Sequence, residues 1–165
     1  MLTLQCTQKL LKEVNAEVSP VKDTDPIALW HANLLILDRR KCVIVTNDKS
    51  RYTFLVPALK KPDFKHLGEL FLDNLFRSML KDGIPQKGVE KVLDLCRSYC
   101  FTKFSSRSVL GTMNDVTDIV KWTVADNGGI INTDISKLIM NINRMPMKPL
   151  DYGYSVDAFK AMLRC

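Results

Sequence analysis

The chain predicts an α+β domain whose sheet is mostly antiparallel, built around a three-stranded meander with helices packed on one face. Three observations lead there. Leu29–Val56 consists of three runs rich in Val, Ile, Leu, Tyr and Phe, separated by two charged turns, Asp38-Arg39-Arg40-Lys41 and Asn47-Asp48-Lys49-Ser50. Phe64, Leu67, Leu70, Phe71, Leu75 and Met79 follow helical spacing and form a wide apolar stripe. At 165 residues, 46% hydrophobic and 25% charged, the chain suits one globular domain and not a disordered segment.

The elements follow in order. Met1–Cys6 alternates, Leu2, Leu4 and Cys6 against Thr3 and Gln5, as a half-exposed strand does. Thr7 caps a helix over Gln8–Val14. Asn15–Pro26, with two prolines and no apolar period, is a loop. In Leu29–Leu37, Trp30, Ala32, Leu34 and Ile36 point one way and Leu29, His31, Asn33, Leu35 and Leu37 the other. Both faces are largely apolar towards the carboxyl end, which implies a central strand covered on both sides or one at a domain edge. Arg39, Arg40 and Lys41 form a hairpin tip, Cys42–Thr46 returns, and Tyr52–Val56 pairs next. Pro57 ends that strand, because it cannot donate to a ladder.

Pro62-Asp63 starts a helix that runs to about Lys81, where Asp82-Gly83 stops it. Pro85 opens another, with Val89, Val92, Leu93 and Cys96 inward, and Tyr99–Phe104 reads as a strand. Ser108 caps a helix from Val109 to about Ala125, and Asn127-Gly128-Gly129 terminates it. Helices over Thr133–Asn143 and Ser155–Arg164 form a carboxy-terminal extension, about 130–165, of the single domain 1–165. Arg144–Tyr154 between them is rich in Met, Pro and Tyr. Trp30, Leu34, Ile36, Ile44, Phe71, Leu75, Val109 and Met113 are expected to be buried.

Composition narrows the function classes. The longest apolar runs fall far short of the ~20 residues a membrane helix needs. MLTLQCTQKLLKEV lacks a secretory signal's basic start and unbroken apolar core. A cytoplasmic protein is the expectation. Five cysteines, Cys6, Cys42, Cys96, Cys100 and Cys165, are odd in number and scattered, which disfavours a disulfide framework. Cys96 and Cys100 could share a helix face and grip a metal, but no further ligand stands at a zinc spacing, so buried free thiols are expected and no metal or cofactor.

The net charge of +6 is local. Residues 39–110 hold fifteen Lys and Arg against seven Asp and Glu, residues 111–165 hold six of each, and residues 1–38 hold three against five. An excess confined to one segment is how a face for phosphates or an acidic protein partner looks; it is also how solvated turns and helices look. Aromatic residues do not interleave with the basic ones in an RNA-binding pattern. The candidate anion-binding residues are Arg39, Arg40, Lys41, Lys49, Arg51, Arg107 and Ser108. The last two stand at a helix start, where free N–H groups favour negative charge. Gly111, one turn in, costs about 1 kcal/mol of helix propensity against Ala, so something is expected to approach it closely, a chain segment ahead of a ligand.

His31 is the leading candidate for acid–base chemistry, since its free pKa lies near neutrality, although a buried structural histidine is the plainer reading. Asp115 and Asp118, three apart on one helix face, would hold a divalent cation if Asp48 or Asp38 joined them, as a metal-dependent nuclease requires; otherwise they form a solvated face. Ser108 lacks the Gly-x-Ser-x-Gly context of a hydrolase, and no phosphate loop or dinucleotide fingerprint occurs.

Trp30-His31-Ala32-Asn33-Leu34 leading into Asp38-Arg39-Arg40-Lys41 and Thr46-Asn47-Asp48, together with Ser106-Arg107-Ser108-Val109-Leu110-Gly111-Thr112-Met113-Asn114-Asp115, resembles domain of unknown function family 6933. Leu4–Leu11 looks like that family's start, and the resemblance covers about residues 1–125. Where the family carries Asn-Arg-Ser and Gly-Ser-Met, this chain has Ser106-Arg107-Ser108 and Gly111-Thr112-Met113. The resemblance implies no activity; the family's likeness to parts of plasmid-borne proteins implies mobile-element biology. A small binding or regulatory protein is therefore expected, of mobile-element or toxin–antitoxin type, acting on nucleic acid or a partner protein. The alternative is a metal-dependent nuclease or other hydrolase.

Overall fold

In the computed structural model, which describes residues 1–164, five strands form one sheet in the order β4-β3-β2-β1-β5. They are β1 (Leu2–Cys6), β2 (Leu29–Leu37), β3 (Arg40–Asn47), β4 (Thr53–Leu59) and β5 (Tyr99–Lys103). Cys165, the last of the five cysteines, lies outside the described residues. The helices are α1 (Gln8–Val14), α2 (Leu67–Lys81), α3 (Gln86–Leu95), α4 (Arg107–Asp126), α5 (Ile135–Ile142) and α6 (Ser155–Leu163). Two-residue strands β6 (Pro146–Met147) and β7 (Gly153–Tyr154) pair separately.

The meander β2-β3-β4 is antiparallel as its tight turns require, but β1 runs parallel to both β2 and β5, so the sheet is mixed and not mostly antiparallel. The reason lies in the connections. Residues 7–28 carry the chain back across the sheet between β1 and β2, and a return of that length allows a parallel neighbour where a two-residue turn cannot. Alternation along a strand does not encode direction.

Helices cover both faces, not one. On one side Trp30 meets Phe54, Phe71 of α2 and Phe159 of α6 edge-on, with ring centroids 5.4–5.7 Å apart. On the other side α4 packs on β2 and β3, where His31, Leu35, Leu37 and Ile44 are buried, and contributes Val109, Met113, Val116 and Val120. A strand that is apolar on both faces needs both covered. Trp30, Ile44, Phe71, Leu75, Val109 and Met113 are buried as expected, whereas Leu34 is half-buried and Ile36 is 50% exposed. Those two lie near the end of β2, where Ile36 pairs with the charged Lys41 beside the hairpin turn.

Three boundaries differ from expectation. The β2–β3 turn is only Asp38-Arg39, with φ of 50° and 65°, so Arg40 and Lys41 belong to β3 and pair with Leu37 and Ile36. Both turn residues take the left-handed conformation of a two-residue hairpin. β4 passes through Pro57 to Leu59, which an edge strand tolerates because one row of its N–H groups faces away from the sheet. A register shift opposite Lys41 to Val43 and a φ of 55° at Ala58 bend its end. Ser106, not Ser108, caps α4: its Oγ accepts from the Val109 N–H at 3.2 Å.

The carboxy-terminal residues complete the core. Phe159 stacks on Tyr52 at 4.6 Å. The Asn143 amide meets the outer edge of β4, its Nδ2 donating to the Thr53 carbonyl at 2.8 Å and its Oδ1 accepting the Thr53 N–H at 3.0 Å. Ser155 Oγ donates to the same Oδ1 at 2.9 Å. The buried Asp82 carboxylate accepts from the Tyr52 hydroxyl and from Arg144 Nη1 at 2.6 Å.

Candidate functional site

The candidate residues divide between the two ends of the β2–β3 hairpin. At one end, the turn after β3 brings Asp48 to His31, with His31 Nε2 donating to Asp48 Oδ1 at 2.8 Å. Arg51, at a φ of 61° in the same turn, donates from Nη1 to the Asp48 carbonyl and from Nη2 to Ser108 Oγ at 2.9 Å. These contacts join the β3–β4 turn to the first turn of α4. Lys49 and Arg107 are exposed nearby in sequence.

His31 itself is fully buried, its ring 4.6 Å from Phe104, and Nδ1 has no partner among the described residues. Burial lowers its pKa, outweighing the hydrogen bond and charge of Asp48, which raise it. A neutral imidazole closed off from solvent orients Asp48 and the turn; it is not placed to exchange protons with a substrate. Register sets Thr102, Gln5, His31, Thr46 and Thr53 in one row across five strands. All five are buried, and Thr102 Oγ1 is also unpartnered.

Asp115 and Asp118 are exposed on α4 and neither forms an ion pair among the described residues. Asp48 is held by His31, and Asp38 accepts from the Ile130 N–H at 3.2 Å beyond the far end of α4. No three His, Cys, Asp or Glu side chains gather into a metal-binding group among the described residues. Cys96 caps α3 and Cys100 lies on β5, so the two do not share the helix face on which they could have gripped a metal. Burial raises the Cys6 and Cys96 thiols to about 12. A thiol so disfavoured as thiolate is a small hydrophobe.

Gly111 overturns one expectation. A β-carbon at that position would meet no other chain segment within 4 Å among the described residues. It instead opens the wall of a groove of about 420 Å³ between α4 and Ile142–Pro149, lined by Arg107, Ser108, Thr112, Asp115 and Lys148 among apolar residues.

At the other end of the hairpin lies a second depression, about 590 Å³, lined by Arg39, Arg40, Lys41, Ala58, Leu59, Lys60 and Lys61. Five of the seven are cationic and none is acidic. Lys41 pairs with Glu13 of α1 at 2.5 Å, while Arg39, Arg40, Lys60 and Lys61 are exposed and form no ion pair among the described residues. The neighbouring acids are turned elsewhere, Asp38 to Ile130 and Asp63 to the Lys60 N–H at 2.7 Å. Nine residue steps of about 3.3 Å separate Arg39 from Asp48, roughly 30 Å, so Arg39, Arg40 and Lys41 do not share a surface with Lys49, Arg51 and Arg107.

Lys60 and Lys61 escape sequence reading because Pro57 reads as a strand end; carrying β4 through it sets Leu59 opposite Lys41 and brings both lysines to the tip. Lys148 escapes because nothing in the Met- and Pro-rich segment shows where it folds. No helix among the described residues is long and apolar enough to cross a membrane. A family model described as Domain of unknown function (DUF6933) matches residues 3–158. No curated protein and no solved structure matches the chain.

Proposed function

Since the chain belongs to the DUF6933 family, whose description carries no activity, we propose a function from geometry: a small binding protein that engages the phosphate backbone of nucleic acid through the tip of the β2–β3 hairpin. The observation that supports this reading is the depression in which Arg39, Arg40, Lys60 and Lys61 converge with no acid in its lining. Such a cluster attracts a polyanion, and each duplex phosphate it neutralises releases close to one counterion. Contacts of this kind fix position and carry no sequence information, so preference among sequences is weak. The mobile-element or toxin–antitoxin setting that the family resemblance implies, and a cytoplasmic location, belong to the same proposal.

Backbone conformation adds a second argument. Arg39 occupies a left-handed position with a φ of 65°, where Gly is the favoured residue. Holding a non-glycine residue there costs on the order of 1 kcal/mol. A cation kept where stability favours Gly fits a surface selected for binding.

The reading is tested with a labelled 20-base-pair duplex between 50 and 200 mM salt. Binding is expected to fall steeply with salt. Arg39→Gly with Arg40→Ala, Lys60→Ala and Lys61→Ala should reduce the log–log slope by about 0.9 per lost contact, up to about 3.6. Arg39→Gly also relieves the turn, so the variant should melt no lower than the wild type. Failure of the duplex to bind at 50 mM salt, or an unchanged slope, refutes the proposal.

A further inference from the structure

We propose that the groove between α4 and the Ile142–Pro149 segment is a binding site for a small amphiphilic anion, an apolar body carrying one carboxylate, sulfonate or phosphate group. It is independent of the hairpin-tip surface and lies towards the opposite end of β2 and β3. At about 420 Å³ the groove has the size of sites that enclose small ligands. Its body is apolar, with Val116 and Ile119 on the helix and Ile142, Met145 and Met147 facing them.

The charged and polar lining selects the head group. Arg107 and Lys148 both line the groove, and neither forms an ion pair among the described residues. Ser108 Oγ accepts a hydrogen bond from Arg51, which leaves its own O–H to donate into the groove. Three donors thus face one acid, Asp115, which lies eight residues or about 12 Å along the helix from Arg107. An anion at the Arg107 end is complementary, and its apolar remainder then lies along Val116 and Ile119.

Gly111 is the independent sign of an occupant. A helix interior disfavours glycine, and neither a close neighbour nor a positive φ requires one here. Every larger residue would project into the groove. The glycine keeps the space open, which packing within the chain does not call for.

Fluorescence titration with 1-anilinonaphthalene-8-sulfonate, and with neutral N-phenyl-1-naphthylamine as its uncharged counterpart, tests the site. The folded protein should bind one molecule of either dye. Gly111→Leu should weaken both by about tenfold or more, while its melting temperature rises because a helix glycine is removed. Arg107→Ala with Lys148→Ala should weaken the sulfonate dye by about tenfold and the neutral dye by less than about twofold, as expected on losing charge-assisted hydrogen bonds. Unchanged sulfonate-dye affinity in Gly111→Leu overturns the proposal, as does equal loss of both dyes in the charge variant. Cosedimentation with phosphatidylglycerol vesicles that depends on Arg107 and Lys148 overturns it in favour of a membrane surface.

Discussion

Replacing Asn143 by Ala should destabilise the protein by about 2–6 kcal/mol, an unusually large effect for a residue outside every regular element. Among the described residues its side-chain amide partners both the Thr53 N–H and the outward-facing Thr53 carbonyl, at 3.0 and 2.8 Å. Asn143 and Thr53 are both fully buried, so water does not replace what is lost. A buried backbone group left without a partner costs about 1–3 kcal/mol, and two are orphaned here. Ser155 Oγ loses its acceptor as well, though it retains the Asn143 carbonyl at 3.3 Å. The assay is urea unfolding followed by fluorescence and circular dichroism. The midpoint should fall with the slope unchanged, since the folded and unfolded states expose the same surface as before. A loss below about 1 kcal/mol, or a changed slope, would show that the Asn143–Thr53 pair does not anchor the carboxy-terminal segment to the sheet.

Two further outcomes follow from buried titratable groups. Because burial holds the His31 pKa below its unfolded value, the folded state binds fewer protons than the unfolded state below about pH 6.5. Stability is therefore complete above that pH and declines as pH falls towards the folded pKa, by up to about 1.4 kcal/mol per pH unit; His31→Gln should flatten the decline in urea midpoints measured between pH 7.5 and 5.5. Arg144→Met should leave the Asp82 carboxylate, 1% exposed, with the Tyr52 hydroxyl alone. A loss of about 3–5 kcal/mol is expected by thermal or urea unfolding, with much of it recovered by adding Asp82→Asn; additive losses in the double variant would contradict the pairing.

What the sequence disclosed, it disclosed through local chemistry. Val, Ile and Leu runs broken by Asp-Arg and Asn-Asp turns specify the β2-β3-β4 meander, and the stripe from Leu67 to Met79 specifies α2. The pairing of β1 with β5 escaped, because two short alternating strands about 97 residues apart carry no mark of direction or neighbour. The side of the sheet each helix takes escaped for the same reason. Lys60 and Lys61 could have been placed at the tip by treating Pro57 as an edge-strand residue. The division of the basic residues into two sites follows only from the roughly 30 Å of hairpin between them. Nothing local could show that Gly111 faces open space, because that depends on where Ile142–Pro149 folds back.

The interior position of β1, between β2 and the edge strand β5, bears on how the protein is made. Leu2–Cys6 is synthesised before both of its neighbours, and one of them, β5, does not follow until Tyr99–Lys103. At about 5–20 residues per second, the intervening chain takes roughly 5–20 seconds to translate. Throughout that interval β1 has an open ladder on one side, next to Leu2, Leu4 and Cys6, side chains that are fully enclosed once folding is complete. A nascent strand with those properties invites pairing with another copy on a neighbouring ribosome. The sheet then closes only when β5 docks on β1, so slower elongation before residue 99 should lower the yield of folded protein more than slower elongation after residue 103.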